Sequence, residues 1–511
     1  MSTSRRGAAL ATLAGSTVST LIVSIQAVVL IPLYLRVIGP RLYGAWLGSG
    51  DFLVWMQAFD LGLPNLMIQR IGAAHGRGDS RSVAEYFAAG VATLALVALA
   101  VALAAVALSF LLPGWMGLVG VEARTLQSCF VVGALAAALA IFNNSVVGFS
   151  RGIQNTTFMI IVGVASSLAG FGVSLGLVLA GWGLWAIVLG LVARMGVSLC
   201  GSAIFTVAAL RGGMHRSFRV RRRVLREFLV VSPATALGGI SYAVMNQSEA
   251  ALVAIFLRPE LAVVLTLTRK ALDVARGLVD MIAFATYGGF AHLVTSDQRH
   301  RTLQVHAEIN SLRLSLAVAM ASAYMAVNAS LLSVWAGGAQ YGGAFLTILM
   351  AAQFIVVGGA FLMNYLYRAT GPVMRGSVAL VIESVLRVPL IIGLLLWLGL
   401  PGVPIAGIVT SVIFGWLAYR WTLKEVSSFS EPLPPFSLRV WVGRGIVFGI
   451  GVLTCVFVRR EMWAYVLVTG SAMAIAGGMI LIYLDPLLSN TRTLFSAILR
   501  RLHIVSVATG R

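Results

Sequence analysis

The chain has 511 residues, 59% of them hydrophobic and 11% charged, with 37 Lys+Arg against 17 Asp+Glu, and its mean hydropathy is +0.94. Ordinary soluble domains carry about 25% charged residues, so the composition excludes a soluble globular protein and requires a polytopic membrane one. The +20 net charge lies in connections between apolar runs, where it reports orientation and not nucleic-acid binding.

The runs do not alternate as barrel strands do, so the spans are helices, about fourteen in all. Arg5 and Arg6 precede an apolar segment from Leu13 to Ile38, too long for a signal-peptide core and read as the first span. Gly44–Met67, Val83–Leu112, Leu126–Ser150, Thr157–Ala180 and Gly183–Val207 follow, and residues 1–210 form a six-helix bundle. A basic cytoplasmic connector, 211–226, leads to a second six-helix bundle, 227–423. Its spans are Glu227–Leu257, Glu260–Phe290, Asn310–Trp335, Ala344–Tyr367, Val373–Leu398 and Val403–Leu423. A cytoplasmic linker, 424–439, contains Pro432, Pro434 and Pro435. Two extra helices, Val440–Val458 and Trp463–Leu484, occupy 440–484, and an amphipathic cytoplasmic tail, 485–511, ends the chain.

With the N-terminus in the cytoplasm, the inner connections carry Arg70, Arg77, Arg81, Arg151, Arg211, the run Arg219–Arg226, Arg313 and Arg368. The outer ones carry only Arg41, Arg124, Arg258, Arg459 and Arg460, so both ends are expected to be cytoplasmic. No connection is long enough for a globular domain, which excludes an attached nucleotide-binding domain, a soluble sensor and most membrane glycosyltransferases. Cys129, Cys200 and Cys455 fall in apolar runs and read as small buried hydrophobes. The six histidines lie in or beside cytoplasmic loops without metal spacing, and no catalytic or cofactor motif occurs, so the chain reads as a non-enzyme without metal or cofactor. Gly172–Gly176 and Gly445–Gly449 have the small-xxx-small spacing of close helix packing.

The eighth span carries Arg269, Lys270, Asp273, Arg276 and Asp280. Arg269, Asp273, Arg276 and Asp280 follow i, i+4, i+7, i+11 and share one helical face, with alternating signs that let neighbours pair. Each charge near the bilayer centre costs roughly 2.5–3.5 kcal/mol, so the stripe faces protein or water. It is either a self-neutralising structural ladder or the wall of a wet cavity that handles charged cargo. Elsewhere, Glu383 and Arg387 sit at i, i+4 and can pair, Arg194 lacks a local acid, and Asp51 lacks a local base. Buried carboxylates such as Asp51 and Glu249 can titrate as proton or cation sites.

The chain also repeats weakly. Pro40 and Pro259 sit at the same place after the first and seventh spans, as do Gly183 and Gly402 at the sixth and twelfth, both at an offset of 219. An even number of spans separates the copies, so the bundles are expected to be related by a pseudo-two-fold axis along the membrane normal, with cargo between them near the midplane.

Residues 32–79 read PLYLRVIGPRLYGAW and then FDLGLPNLMIQRIGAAHGRGD. The Tyr34-Leu35, Gly39-Pro40, Tyr43-Gly44, Trp46 and Asp60-Leu61-Gly62-Leu63 elements, with Arg70, Gly76, Gly78 and Asp79, resemble the N-terminal signature of bacterial polysaccharide exporters, the O-antigen and capsule repeat-unit flippases. That family belongs with the multidrug and toxin extrusion proteins and the lipid II flippases. Glu249 stands where such proteins often have an Asp before their FLGPE turn, and Arg258 replaces its Gly. The resemblance implies a flippase in the bacterial inner membrane. It would carry a polyprenyl-pyrophosphate-linked oligosaccharide by proton- or sodium-coupled alternating access, working among membrane lipids with a glycan polymerase and glycosyltransferases. The cationic groups open to such a cargo are Arg194, Arg269, Lys270, Arg276 and Arg387, and the acids open to ion coupling are Asp51, Glu249, Asp273 and Glu383. The alternatives are a multidrug extruder, which calls for an acidic or aromatic cavity, and a membrane-embedded glycan polymerase, which calls for a large external loop that is absent.

Overall fold

The computed structural model describes residues 22, 24–60, 62–211, 220–295, 299–426, 437–458, 460–489 and 491–493, and among them no strand occurs. Arg5, Arg6, the first-span start at Leu13, Leu61, residues 212–219, the proline-bearing part of the linker, Arg459 and the tail beyond 493 lie outside the described residues.

Among the described residues, eleven helices are long and apolar enough to cross a membrane. The other helices at the positions of the expected first, second and seventh spans are the shorter apolar α1 (Ser24–Val37), the pair α2 (Pro40–Ala58) and α3 (Leu63–Gly76), and the pair α9 (Arg222–Asn246) and α10 (Glu249–Phe256). The protein is an all-α, multi-pass membrane protein. The second and seventh spans, each expected as one helix, are broken. In the second, Gly62 takes φ 65, the Asp60 carboxylate accepts its amide at 2.9 Å, and Pro64 lacks the donor needed to continue. The seventh stops at Gln247 and restarts at Glu249.

The chain forms two compact units, Met1–Val263 and Val264–Arg511. The first contains α1–α4, α5 (Leu112–Trp115), α6 (Gly120–Gly152), α7 (Thr157–Leu179), α8 (Trp185–Arg211), α9 and α10. The unit boundary thus falls after the seventh span, not in the basic connector. Ion pairs explain why α9 goes with the first unit. Arg70 on α3 meets Glu227 at 2.5 Å, and Glu85 on α4 takes both Arg81 at 3.2 Å and Arg221 at 3.1 Å. α4 itself starts on Asp79, whose carboxylate caps the Ser82 amide at 3.0 Å. The Ser82 hydroxyl and amide hold that carboxyl below its ordinary pKa.

α10 is held to α2 by close backbone approach. A Cβ on Gly44 would collide with the Pro259 carbonyl, and one on Gly48 would lie 2.8 Å from the Ala254 Cβ. The expected glycine pairs do not pack this way. Gly172, Gly176, Gly445 and Gly449 have nothing within 4 Å of an added Cβ, because those positions fall on the outer arcs of their helices. The packing glycines of α7 and α8 are Gly170, against the Gly190 carbonyl at 2.9 Å, and Gly190, against Ser174. Gly44→Ala should therefore destabilise by about 1–3 kcal/mol, whereas Gly445→Ala should leave stability unchanged or slightly raised. Melting temperatures of the two purified variants check this, and an unaffected Gly44→Ala would contradict the tight α2–α10 seat.

The second unit contains most of α11 (Pro259–Thr295), then α12 (Arg299–Trp335), α13 (Gly343–Ala369), α14 (Val373–Leu398), α15 (Gly402–Val426), α16 (Leu438–Phe457) and α17 (Trp463–Leu484). Its centre is α12, 78% buried along its membrane window where other spans reach 50% at most. Alanine and serine on several faces, including Ala317, Ala319, Ser322 and Ala326, let α13, α16 and α17 close around it. The two extra helices are locked on by Arg444, which donates to Asp485 at 3.1 Å, Ser315 Oγ at 3.1 Å and the Ser311 carbonyl at 3.2 Å. Of the cysteines, Cys129 and Cys455 are buried as expected, but Cys200 is exposed on α8.

Candidate functional site

The charged stripe lies on α11 at the border between its buried and exposed faces. Leu272, Val279 and Ala283 are buried, Val274, Leu278 and Met281 are exposed, and Arg269, Lys270, Asp273, Arg276 and Asp280 are all intermediate. Arg269 Nε meets Asp273 at 3.1 Å, the i, i+4 pair that the spacing predicts. Lys270 makes no ion pair among the described residues, so Asp273 serves Arg269 and not Lys270.

Asp280 has two basic neighbours, Arg276 and Arg313. Arg313, expected at a cytoplasmic connection, is inside α12 and 2% exposed. Its guanidinium lies over Gly358 of α13, where only a glycine leaves room, and donates to the carbonyls of Ile355 at 2.6 Å and Phe354 at 3.2 Å. Arg269, Lys270, Arg276 and Arg313 against Asp273 and Asp280 leave the cluster with an excess of two positive charges. Charges of that kind inside a span are met by one another, by backbone carbonyls as Arg313 is, or by water or a ligand.

A polar network fixes the turn of α11 that carries the stripe. The Thr268 carbonyl accepts from the Tyr324 hydroxyl at 2.8 Å and Asn328 Nδ2 at 3.2 Å. The Gly342 amide donates to the Thr268 hydroxyl at 3.0 Å. Thr268 and Asn328 are fully buried, so this seat sets the height and rotation of Arg269 one residue on.

Glu383 and Arg387 have a different geometry from the stripe. Arg387 is 1% exposed and donates to Glu383 at 2.5 Å, Thr410 Oγ1 at 2.9 Å and Ser411 Oγ at 2.5 Å, while Ser411 donates to Glu383 at 3.0 Å. The pair predicted from spacing forms, but as a tie between α14 and α15. Arg387, expected at the cavity, and Glu383, expected as a coupling acid, are thus engaged with each other and with α15.

The broken seventh span brings Asp51 and Glu249 together. Asp51 on α2 is 8% exposed, and its carboxylate accepts the amide of Ala251 at 2.8 Å. That amide belongs to the first turn of α10, where a carboxylate satisfies an orphan donor and meets the positive end of the helix dipole. Glu249, 4% exposed, is the first residue of the same turn. Two acids distant in sequence thus share one helix terminus inside a span. Arg194, in contrast, is exposed on α8 with its Cβ against Gly170, and it makes no ion pair among the described residues.

No protein-family model matches this sequence, and no curated protein does. Solved structures match it strongly. The inward-facing conformation of a multidrug resistance MATE family transporter of the MOP superfamily aligns with TM-score 0.65 and 14% identity over 80% of this chain and 98% of that one. The lipid II flippase MurJ in an inward closed conformation aligns with TM-score 0.64 and 13% identity over 93% of this chain and 97% of that one. A MOP superfamily transporter from Pyrococcus furiosus aligns with TM-score 0.55 and 14% identity over 83% and 95%. This chain shares the fold of these transporters.

Within this fold, Arg313, Tyr324 and Asn328, missed as site residues by the sequence reading, shape the charged region, and Arg444, also missed, ties α16 to α12. The two arginines interrupt apolar runs at span edges, and Asn328 lies in the middle of one. An ionisable or amide side chain inside a span is the signal that marks them. His306 likewise is buried in α12 against Phe290 and Tyr419, not in a loop.

Proposed function

We propose that this protein flips a polyprenyl-pyrophosphate-linked oligosaccharide, such as an O-antigen, capsule or exopolysaccharide repeat unit, across the bacterial inner membrane. The observation that carries this reading is the net positive cluster of Arg269, Lys270, Arg276 and Arg313 against Asp273 and Asp280. Arginine binds a pyrophosphate with paired, charge-assisted hydrogen bonds. Arg194 adds an exposed cation in the other unit. A cationic drug would meet repulsion here, which weighs against multidrug extrusion. The fold likeness to a lipid flippase also covers 93% of the chain, against 80% for the MATE transporter. In this reading two six-helix bundles, pseudo-two-fold related, alternate access around the cargo, with both chain ends cytoplasmic.

Proteoliposomes holding a fluorescent polyprenyl-pyrophosphate oligosaccharide test the cargo class. Transfer of the label to the opposite leaflet is expected, with no efflux of a cationic dye, and dye efflux without lipid transfer would overturn the reading. Asp51 and Glu249 are the proposed coupling site for a proton or sodium ion. Asp51→Asn and Glu249→Gln should each abolish gradient-driven transfer yet leave cargo binding within about threefold of wild type, a difference under about 0.7 kcal/mol. Unchanged gradient-driven transfer in both variants would remove these acids from coupling.

A further inference from the structure

A cavity of about 780 Å³ opens at one end of the first unit. Its size is that of a small-molecule site. One wall is apolar and belongs to the ends of membrane helices: Phe149, Phe158, Ile204 and Phe205. Three of these rings form a connected set, with Phe149 and Phe158 at 6.0 and 6.2 Å from Phe205. The opposite wall is polar and comes from the turns that leave the spans, with His75, Ser80 and Asn155. Phe158 and Ile204 are 37% and 61% exposed, so the apolar wall opens sideways where hydrocarbon would lie.

Charge around the mouth is net positive, three arginines against the ionised carboxylate of Asp79. Arg77, Arg151 and Arg211 are exposed and flank lining residues in sequence. The nearest acid in those turns, Asp79, is engaged with Ser82 as the α4 cap. An apolar slot open to lipid, a hydrogen-bonding rim and a basic mouth complement a molecule with a chain at one end and a phosphate at the other.

We propose that this cavity seats an anionic membrane phospholipid, with one acyl chain along Phe149, Phe158 and Phe205 and its phosphate at His75, Ser80 and Asn155. The site depends on neither the charged stripe nor the identity of the cargo. It would make the first unit sensitive to the anionic lipid content of its leaflet.

Native mass spectrometry of the purified full-length protein, with phosphatidylglycerol or phosphatidylcholine added in detergent, tests this. The wild type should retain one phosphatidylglycerol in about tenfold preference to phosphatidylcholine. Ala208→Trp places an indole in the cavity from an exposed position and should abolish that retention. His75→Ala with Asn155→Ala, both exposed, should remove the headgroup preference while a lipid without preference still binds. Equal retention of the two lipids by the wild type, or undiminished phosphatidylglycerol on Ala208→Trp, would mean surrounding lipid only and overturn the site. A preference that survives the His75 and Asn155 changes would overturn the headgroup assignment.

Discussion

Asp280→Ala should reduce detergent-stable protein about tenfold or more, while Arg276→Ala should keep near-normal protein and lose transport. The difference follows from what each change strands. Asp280 lies beside both Arg276 and Arg313, and Arg313 is 2% exposed among neutral carbonyls. Without Asp280 that buried guanidinium loses the field of its nearby acid, a change whose upper bound is the loss of a contacting buried pair, about 3–5 kcal/mol. A loss of that size is a large share of a typical folding free energy. Arg276 is only half-buried, and removing it leaves Asp280 still within the field of the Arg313 guanidinium. The double change Arg276→Ala with Asp280→Ala should therefore also fail to fold, although helical spacing alone makes those two residues look like a pair removable together. Arg276→Lys should transport at a reduced rate, keeping the charge and losing the two-pronged contact with pyrophosphate. Size-exclusion profiles of the tagged variants and lipid-linked oligosaccharide transfer, measured side by side, check each outcome. Normal yield of Asp280→Ala would refute its role as the counter-ion of Arg313, and normal transport by Arg276→Ala would take Arg276 off the cargo path.

Glu383→Ala should be equally damaging, and Glu383→Leu with Arg387→Met should repair it. Arg387 is 1% exposed and Glu383 3%, and their 2.5 Å pair is completed by Thr410 and Ser411 of α15. Losing Glu383 takes away the carboxylate bonded to the buried arginine, at a cost of about 3–5 kcal/mol. Replacing both charges with apolar side chains of similar volume removes the desolvation cost together with the attraction, and such swaps are often neutral or stabilising by about 1–4 kcal/mol. Melting temperature and transfer assays of the single and double variants separate scaffold from mechanism. If the double variant folds and transports, the pair is a tie between α14 and α15. A double variant that folds but does not transport would return Glu383 or Arg387 to the transport cycle.

The sequence alone carried much of this. Span limits such as Val373–Leu398 and Trp463–Leu484 match α14 and α17 residue for residue, because length and hydropathy are properties of the local chain that the bilayer reads directly. The Arg269–Asp273 and Glu383–Arg387 pairs were legible from i, i+4 spacing, since both partners ride one helix. The Gly62 and Pro64 that break the second span were visible, but an apolar window averages over them. What the sequence could not determine is partnership between helices. The Asp51 contact with the α10 amide spans 200 residues, the Arg444–Asp485 pair 41, and the seat of Arg313 on α13 about as many. Nor could it tell that Gly44 packs while Gly445 does not. Helical periodicity fixes which residues share a face, whereas the neighbour of that face depends on helix rotation and packing, which only the assembled bundle decides.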